Sequence, residues 1–364
     1  MTIPGIAHPA IPYGSWVVIS GATGFIGSHV VDQALAAGYK VRGTTRSVDR
    51  GTWAKKYFGE KYGEGVFDLV EVKDMALDNA FDEAEVVDCS SFAPGASGII
   101  HVANDMTGSS DSHAISLAVS GALNALKAAT KAGIKRFVYT SSSFAVTQPK
   151  PNEVFEITED TFNEEAVEKV RKGTANGEDV YCASKVEAER ALTSWGKEHA
   201  PEVVINMGTP DFPDLRLVVL TPLPSQPQRQ SRAGPQSLQP GLPNHRQMGQ
   251  EKLWEQNYAA FNGFQPQHYI NVQDDAKLHI IALANPEVSG ERIFGMTAPC
   301  TLREIVGILR ELYPNRKWEE APDIGEDRIV VVPKKRAEEL LKQAYGTGFV
   351  GLKETVKANL MGLA

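Results

Sequence analysis

Residues 16–27 read WVVISGATGFIG. Five strand-forming residues, Trp16 to Ser20, run into Gly21-x-x-Gly24-x-x-Gly27. Beyond the turn, Ile26, Val30, Ala34 and Ala37 recur at spacings of three and four before Gly38. This is a strand, a tight turn and a helix with a glycine stop. In such a unit the first glycine permits the turn and the second lets backbone approach a pyrophosphate. The third lets helix pack on strand, with the helix N-terminus facing the phosphates. Gly21, Thr23, Gly24, Phe25, Ile26 and Gly27 therefore form a candidate dinucleotide cradle. A glycine triplet alone also suits a plain structural turn; its place between strand and helix favours the cradle.

Outward from the turn the alternation continues. Strand-like stretches at 39–44, 66–72, 98–103 and 136–142 are joined by a helical pattern over 114–132, and a helix at 178–199 precedes a strand at 202–206. Strands alternating with helices predict βαβ units and a parallel sheet covered on both faces. The expected fold is α/β, a doubly wound parallel sheet of the Rossmann type over residues 14–206, with 1–13 as an N-terminal extension. Residues 242–364 are expected to form a smaller C-terminal lobe over the substrate, some of its segments returning to the first domain. Its elements are a helix around 251–261, HYINV, a helix at 274–284, ERIFGM, a helix at 302–312 and a helix pair after Pro333.

The stretch 207–241 fits neither part. Between Pro222 and Gln250 lie six prolines and seven glutamines, and no acidic residue occurs from Leu215 to Gln250. Such composition buries too little apolar area to offset its ordering entropy.

The chain has 364 residues, 42% hydrophobic and 23% charged, enough for one large or two modest domains. With 37 Lys plus Arg against 45 Asp plus Glu, the net charge of −8 argues against nucleic acid as a partner. Three scattered cysteines, Cys89, Cys182 and Cys300, suit a reducing compartment rather than a disulfide framework. The N-terminal MTIPGIAHPAIPYG lacks a basic then apolar pattern, and no apolar run reaches ~18 residues. A cytoplasmic protein without membrane contact is expected. Eight histidines show no paired ligand spacing, so no metal is expected; His268 and His279 read as surface or interface residues.

A dinucleotide site that prefers NAD places an acid at the end of the second strand. Here Thr44 and Thr45 occupy that place and Arg46 follows. A guanidinium there can grip a 2′-phosphate through its planar fork, so NADP(H) is the expected cofactor; Arg42 is a second cationic candidate. The alternative is that both arginines are solvated strand-end charges.

Tyr181-Cys-Ala-Ser-Lys185 sets a phenol and an ammonium four apart at the start of a helix, hence on one face. Reducing a carbonyl by hydride needs an acid at the developing alkoxide. Free tyrosine, with a pKa near ~10, is a weak acid at neutral pH unless a cation favours its phenolate. Lys185 supplies that charge and can reach a nicotinamide ribose. A hydroxyl to hold the carbonyl oxygen is offered by FVYTSSS at 137–143, with Ser141, Ser142 and Ser143 all open.

On these elements the sequence resembles the extended short-chain dehydrogenase/reductases of the NAD-dependent epimerase/dehydratase superfamily. The residues that carry the resemblance are GATGFIG at 21–27, HVA at 101–103, VYTSSS at 138–143 and YCASK at 181–185. It is most similar to the branch of fungal aldehyde reductases and plant dihydroflavonol reductases, through VEVKDM at 70–75, GALNAL at 121–126, RFVYTSS at 136–142 and SKVEAE at 184–189. The resemblance spans roughly 14–206 and 242–360.

It implies transfer of hydride from NADPH to an aldehyde or ketone, in secondary metabolism, by a monomer or homodimer. It assigns Tyr181 as general acid, Lys185 as the group lowering its pKa and Ser142 as the carbonyl holder. Asp74 and Met75 fall at the adenine contact, and His101, Val102 and Ala103 at the strand end beside the nicotinamide. Two alternatives stand beside it. A nucleotide-sugar epimerase or dehydratase using NAD is disfavoured by Arg46. A non-catalytic dinucleotide-binding protein is disfavoured by the complete Ser–Tyr–Lys set and favoured by the insertion.

Members of this branch pass from the strand EVVIN almost directly to a Leu-Pro-Asn turn. Here Leu242-Pro243-Asn244 comes only after Met207 to Gly241. We read 207–241 as a retained intron or gene-model error; an abundant mature transcript carrying the segment would overrule that reading.

Overall fold

The structure is a computed structural model and describes residues 2–78, 80–81, 95–104, 110–211, 264–315, 318 and 320–360. Its centre is a parallel sheet built from β1 (Trp16–Ser20), β2 (Lys40–Thr45), β3 (Phe67–Glu71), β4 (Ala96–His101), β5 (Arg136–Thr140), β7 (Val204–Pro210) and β9 (Arg292–Gly295). The strand order is β3-β2-β1-β4-β5-β7-β9. The order reverses between β1 and β4, and it is outside the strand ends at such a reversal that open α/β sheets bind ligands.

The strands are apolar on both faces, as a sheet covered twice must be. Val17 and Ile19 enter one core, together with Val30 and Leu35 of α1 (Phe25–Ala36) and Phe58 of α2 (Val48–Tyr62). Ile281 of α6 (Val272–Ala284) and Leu340 of α8 (Lys334–Tyr345) complete it. Val18, between them in sequence, enters the opposite core with Leu126 of α3 (His113–Lys131) and Leu192 of α5 (Gly177–His199). The expected doubly wound Rossmann-type sheet is thus present. Among the described residues no helix is long and apolar enough to cross a membrane.

A smaller unit follows. β8 (Gln267–Tyr269) pairs antiparallel with β10 (Ala298–Cys300), backed by α7 (Leu302–Leu312) and α9 (Leu352–Asn359) around Tyr269, Cys300, Ile305, Leu309 and Val356. β6 (Glu156–Ile157) and β11 (Val330–Val331) form a second short pair. α4 (Glu164–Arg171) lies against α5.

Three sequence expectations change. The N-terminal residues, set apart as an extension, are part of the first core: Ile3, Ile6 and Ile11 are buried in it. The Gly5 amide donates to the Ala344 carbonyl at 2.9 Å, and Ala10 to that of Ala284 at 2.7 Å. Secondly, β7 runs past the boundary read at Asn206, because Met207 to Pro210 pair with β9 and Met207 and Gly208 also with β5. Any intruding segment therefore starts no earlier than 212. Residues 212–241, the Leu242-Pro243-Asn244 turn, the helix expected at 251–261 and Cys89 lie outside the described residues. Thirdly, His268 and His279 are buried, His268 bonded through Nδ1 to Asp327 at 2.7 Å.

Candidate active site

The glycine turn closes on itself through the Gly24 amide, which donates to the Gly21 carbonyl at 2.9 Å. Gly21 has φ +64°, the left-handed region that a side chain disfavours. A Cβ on it would also lie 3.1 Å from Ala103 Cα, and one on Gly27 would lie 2.1 Å from the Gly21 carbonyl oxygen. Gly24 caps α1 without a side-chain hydrogen bond, and the first turn holds no acid. That end of α1 opens on the turn with the helix dipole behind it, an arrangement that favours an anion. Thr23 Oγ1 lies 3.3 Å from Thr45 Oγ1, and the Ala22 amide donates to the Thr44 carbonyl, which ties the end of β2 to the turn. Phe25 and Ile26 are half-buried within it.

Arg46 follows β2, exposed and with no hydrogen bond or ion pair among the described residues. Arg42 is different: it is buried in the strand with its guanidinium over the Trp16 ring, 5.4 Å from the centroid. Of the two candidates only Arg46 stands at the strand end. Asp74 is exposed, its carboxylate accepting from the Ala76 amide, and the Met75 carbonyl accepts from Asn124 of α3 at 3.1 Å. These residues fit a phosphorylated dinucleotide: a cradle whose close packing requires glycine at 21 and 27, and an exposed guanidinium beside it.

Ser20, His101 and Tyr139 are register partners across β1, β4 and β5. Ser20 Oγ accepts from the Val102 and Ala103 amides at 2.9 and 3.0 Å, and lies 3.1 Å from His101 Nδ1. With its acceptor sites taken, the serine donates its proton to Nδ1, which must stay unprotonated. Burial, and then the Lys185 charge, push the His101 pKa down to about 3.

A histidine so depressed is neutral in both folded and unfolded states above its ordinary 6.5. As pH falls below that value the unfolded chain takes up a proton that the fold refuses, so stability is lost. The loss attributable to His101 is on the order of 2 kcal/mol by about pH 5. His279 is raised by Asp275 despite its burial, so its contribution has the opposite sign. Urea melts of wild type and His101→Asn across this range isolate the effect; equal acid slopes in the two would refute it.

The three serines are separated by their partners. The Ser141 hydroxyl donates to Glu189, and that of Ser143 to Asp211 Oδ1 at 2.9 Å; both serines are buried. Ser142 is half-buried, accepts the Phe144 amide and lies near enough to the Tyr181 phenol to lower its pKa. Of the three serines, Ser142 is the one that acts on Tyr181 among the described residues. Lys185 is buried one turn along α5, with Nζ donating to the Thr140 carbonyl at 2.9 Å and lying over the rings of Tyr139 and Tyr181 at 5.1 and 6.0 Å.

The expected electrostatics of this pair need correcting. Burial raises Tyr181 to about 12, and the nearby Ser142 pulls it back in part. Lys185 does not lower it, because its hydrogen bond goes to Thr140 and it meets the ring face of the phenol. Burial instead pulls Lys185 down to about 8, against the opposing pull of Glu189. Cys182, inside the same motif, has its thiol pushed far up by burial, which leaves no thiolate nucleophile there.

Glu189 and Asp211 were missed from sequence. The spacing of four from Lys185 to Glu189 on one helix was a signal; for Asp211, beyond a strand whose length was misread, there was none.

A family model described as the NAD dependent epimerase/dehydratase family matches residues 17–211. The chain is 34% identical over 357 residues to a ketoreductase of Aspergillus novofumigatus, covering 95% of this chain and 96% of that protein. It is 30% identical over 370 residues to aldehyde reductase 2 of Sporidiobolus salmonicolor, covering 97% of each. Among solved structures it is similar to Gre2 of Candida albicans in complex with NADPH, with a TM-score of 0.72 and 25% identity, covering 96% of this chain and 98% of that one.

Proposed function

The chain belongs to the NAD dependent epimerase/dehydratase family, and on that premise we propose that it is an NADPH-dependent reductase of aldehyde or ketone carbonyls. The observation that carries the reading is the meeting of Ser142, Tyr181 and Lys185 beside the glycine turn. The ketoreductase and aldehyde reductase relatives and the NADPH complex of Gre2 support the same chemistry.

Bound NADPH supplies the hydride. The chain's own part is to hold the carbonyl and deliver a proton. With a pKa of about 12, Tyr181 carries its proton at neutral pH, so Oη can give it to the carbonyl oxygen as negative charge builds there. The Ser142 hydroxyl, close to that phenol, would hydrogen-bond the same oxygen. Lys185, at about 8, is mostly an ammonium at neutral pH and offsets the phenolate that transfer leaves. Arg46 would hold the 2′-phosphate, Asp74 and Met75 the adenine, and Ala103 the nicotinamide half.

NADPH oxidation with a panel of aldehydes, ketones and flavanonols tests this, on the whole chain and on a form lacking 212–241 that keeps β7 and Asp211. NADPH binding without turnover by either form would leave a dinucleotide-binding protein in place of an enzyme. Arg46→Ala is expected to weaken NADPH about 10- to 100-fold, the scale of one charge-assisted contact. NADH affinity should stay within about twofold, since NADH lacks the phosphate. An equal loss for both cofactors would take Arg46 out of this role.

A further inference from the structure

Glu189 lies four residues after Lys185 on α5 and is 2% exposed. Its carboxylate links two partners. Oε2 receives Arg292 Nε of β9 at 2.8 Å, and the charge of that half-sequestered guanidinium compensates the buried carboxylate. Oε1 receives the Ser141 hydroxyl and, more distantly at 3.5 Å, Arg292 Nη2. The Ser141 amide meanwhile donates to the Gly208 carbonyl of β7 at 2.7 Å, so residue 141 is held by both backbone and side chain. Arg292 is fixed in turn by the carbonyls of Glu159 and Thr161 and by the ring of Phe162, 4.2 Å away.

Ser142 follows in extended backbone, φ −162° and ψ 154°. Successive side chains there point to opposite sides. Locking Ser141 toward Glu189 therefore turns Ser142 toward Tyr181. A run of three serines has no register of its own; an acceptor that captures the first one supplies it.

We propose that Glu189 is a positioning residue for the carbonyl-binding serine, fixing Ser142 against Tyr181 by holding Ser141 on one side and Arg292 on the other. The proposal rests on the reading of Ser142 and Tyr181 as the reacting pair. Glu189 also faces the active-site lysine: its charge opposes the effect of burial on Lys185. The other titratable groups around that ammonium are His101 on β4, Tyr139 on β5 and Tyr181 on α5.

Ser141→Ala cuts the link on the serine side and leaves the Glu189–Arg292 pair intact. Glu189→Gln keeps an acceptor for Ser141 and removes the charge that Arg292 requires. With NADPH and 4-nitrobenzaldehyde as probe, each variant is expected to lose about tenfold or more in kcat, with KM for the cofactor within about twofold. The limb of the kcat/KM profile set by Lys185, near pH 8, should move to lower pH in Glu189→Gln and stay in Ser141→Ala. The pH at which the stability of the free protein begins to climb, as Lys185 sheds its proton, should move the same way in Glu189→Gln. Wild-type kcat in either variant, or an unmoved limb in Glu189→Gln, overturns the proposal. Tyr181→Phe, assayed alongside, keeps two failures apart: if that variant is inactive while both others behave as wild type, only the role of Glu189 falls.

Discussion

Tyr181→Phe is expected to lower kcat by about 10²- to 10⁴-fold, the usual worth of a general acid. The change removes one oxygen and keeps the ring, which packs edge-on to Phe144 with centroids 6.1 Å apart and beneath the Lys185 ammonium. Burial holds that oxygen protonated at neutral pH, and the nearby Ser142 opposes burial in part. The glycine turn and Arg46, which lie on β1, α1 and the end of β2, do not touch it. NADPH affinity measured by fluorescence titration should therefore stay within about twofold of wild type. A kcat within tenfold of wild type would remove Tyr181 from the acid role.

Gly27→Ala should act at the other end of the site and on a different quantity. The added Cβ would meet the Gly21 carbonyl at 2.1 and 2.8 Å from its oxygen and carbon, and Ala22 Cα at 3.3 Å. All three atoms are backbone, so no side chain can swing aside; α1 must lift off the turn or the turn must open. Forced overpacking of this kind costs about 1–3 kcal/mol and more where backbone has to move. We expect NADPH Kd to rise at least about 100-fold and the melting temperature to fall by several degrees. Gly24→Ala is the comparison. There the Cβ would approach only the Gly21 oxygen, at 3.2 Å, on an exposed residue with φ −80°, so its losses should be far smaller. Equal effects of the two substitutions would mean that close packing at Gly27 is not what the motif protects.

The cofactor half was legible because its physics is local. Strand, glycine turn and helix at 16–36 announce themselves within a few residues, and so do the long apolar faces of α3 and α5. α2 was not foreseen, since it buries only Gly51, Ala54 and Phe58 along 15 mostly polar residues. β6, β10 and β11 are two or three residues each, too short to show a period, and exist because a partner is brought to them by the rest of the chain. Within the site, Tyr181 and Lys185 could be paired by helical spacing alone. The choice among Ser141, Ser142 and Ser143 could not, because it depends on Glu189 and Asp211, which reach the serines only through the tertiary fold. The shift of Tyr181 was misjudged for a related reason: a sequence displays charges and conceals burial, and burial dominates here.

The strap formed by residues 2–13 bears on how the molecule is made. Ile3, Ile6 and Ile11 leave the ribosome long before α6 and α8, among which their seats lie. The sheet is likewise incomplete until β9 arrives to pair with β7. Local units such as β1–α1–β2 can form during synthesis, but the core beneath them stays open until α8 has emerged. Closing contacts between distant parts of a sequence is slow, and apolar surface remains exposed meanwhile. Folding of this reductase is therefore gated by the segment from α6 to α8, and chains halted before α8 should be substrates for chaperones and proteases.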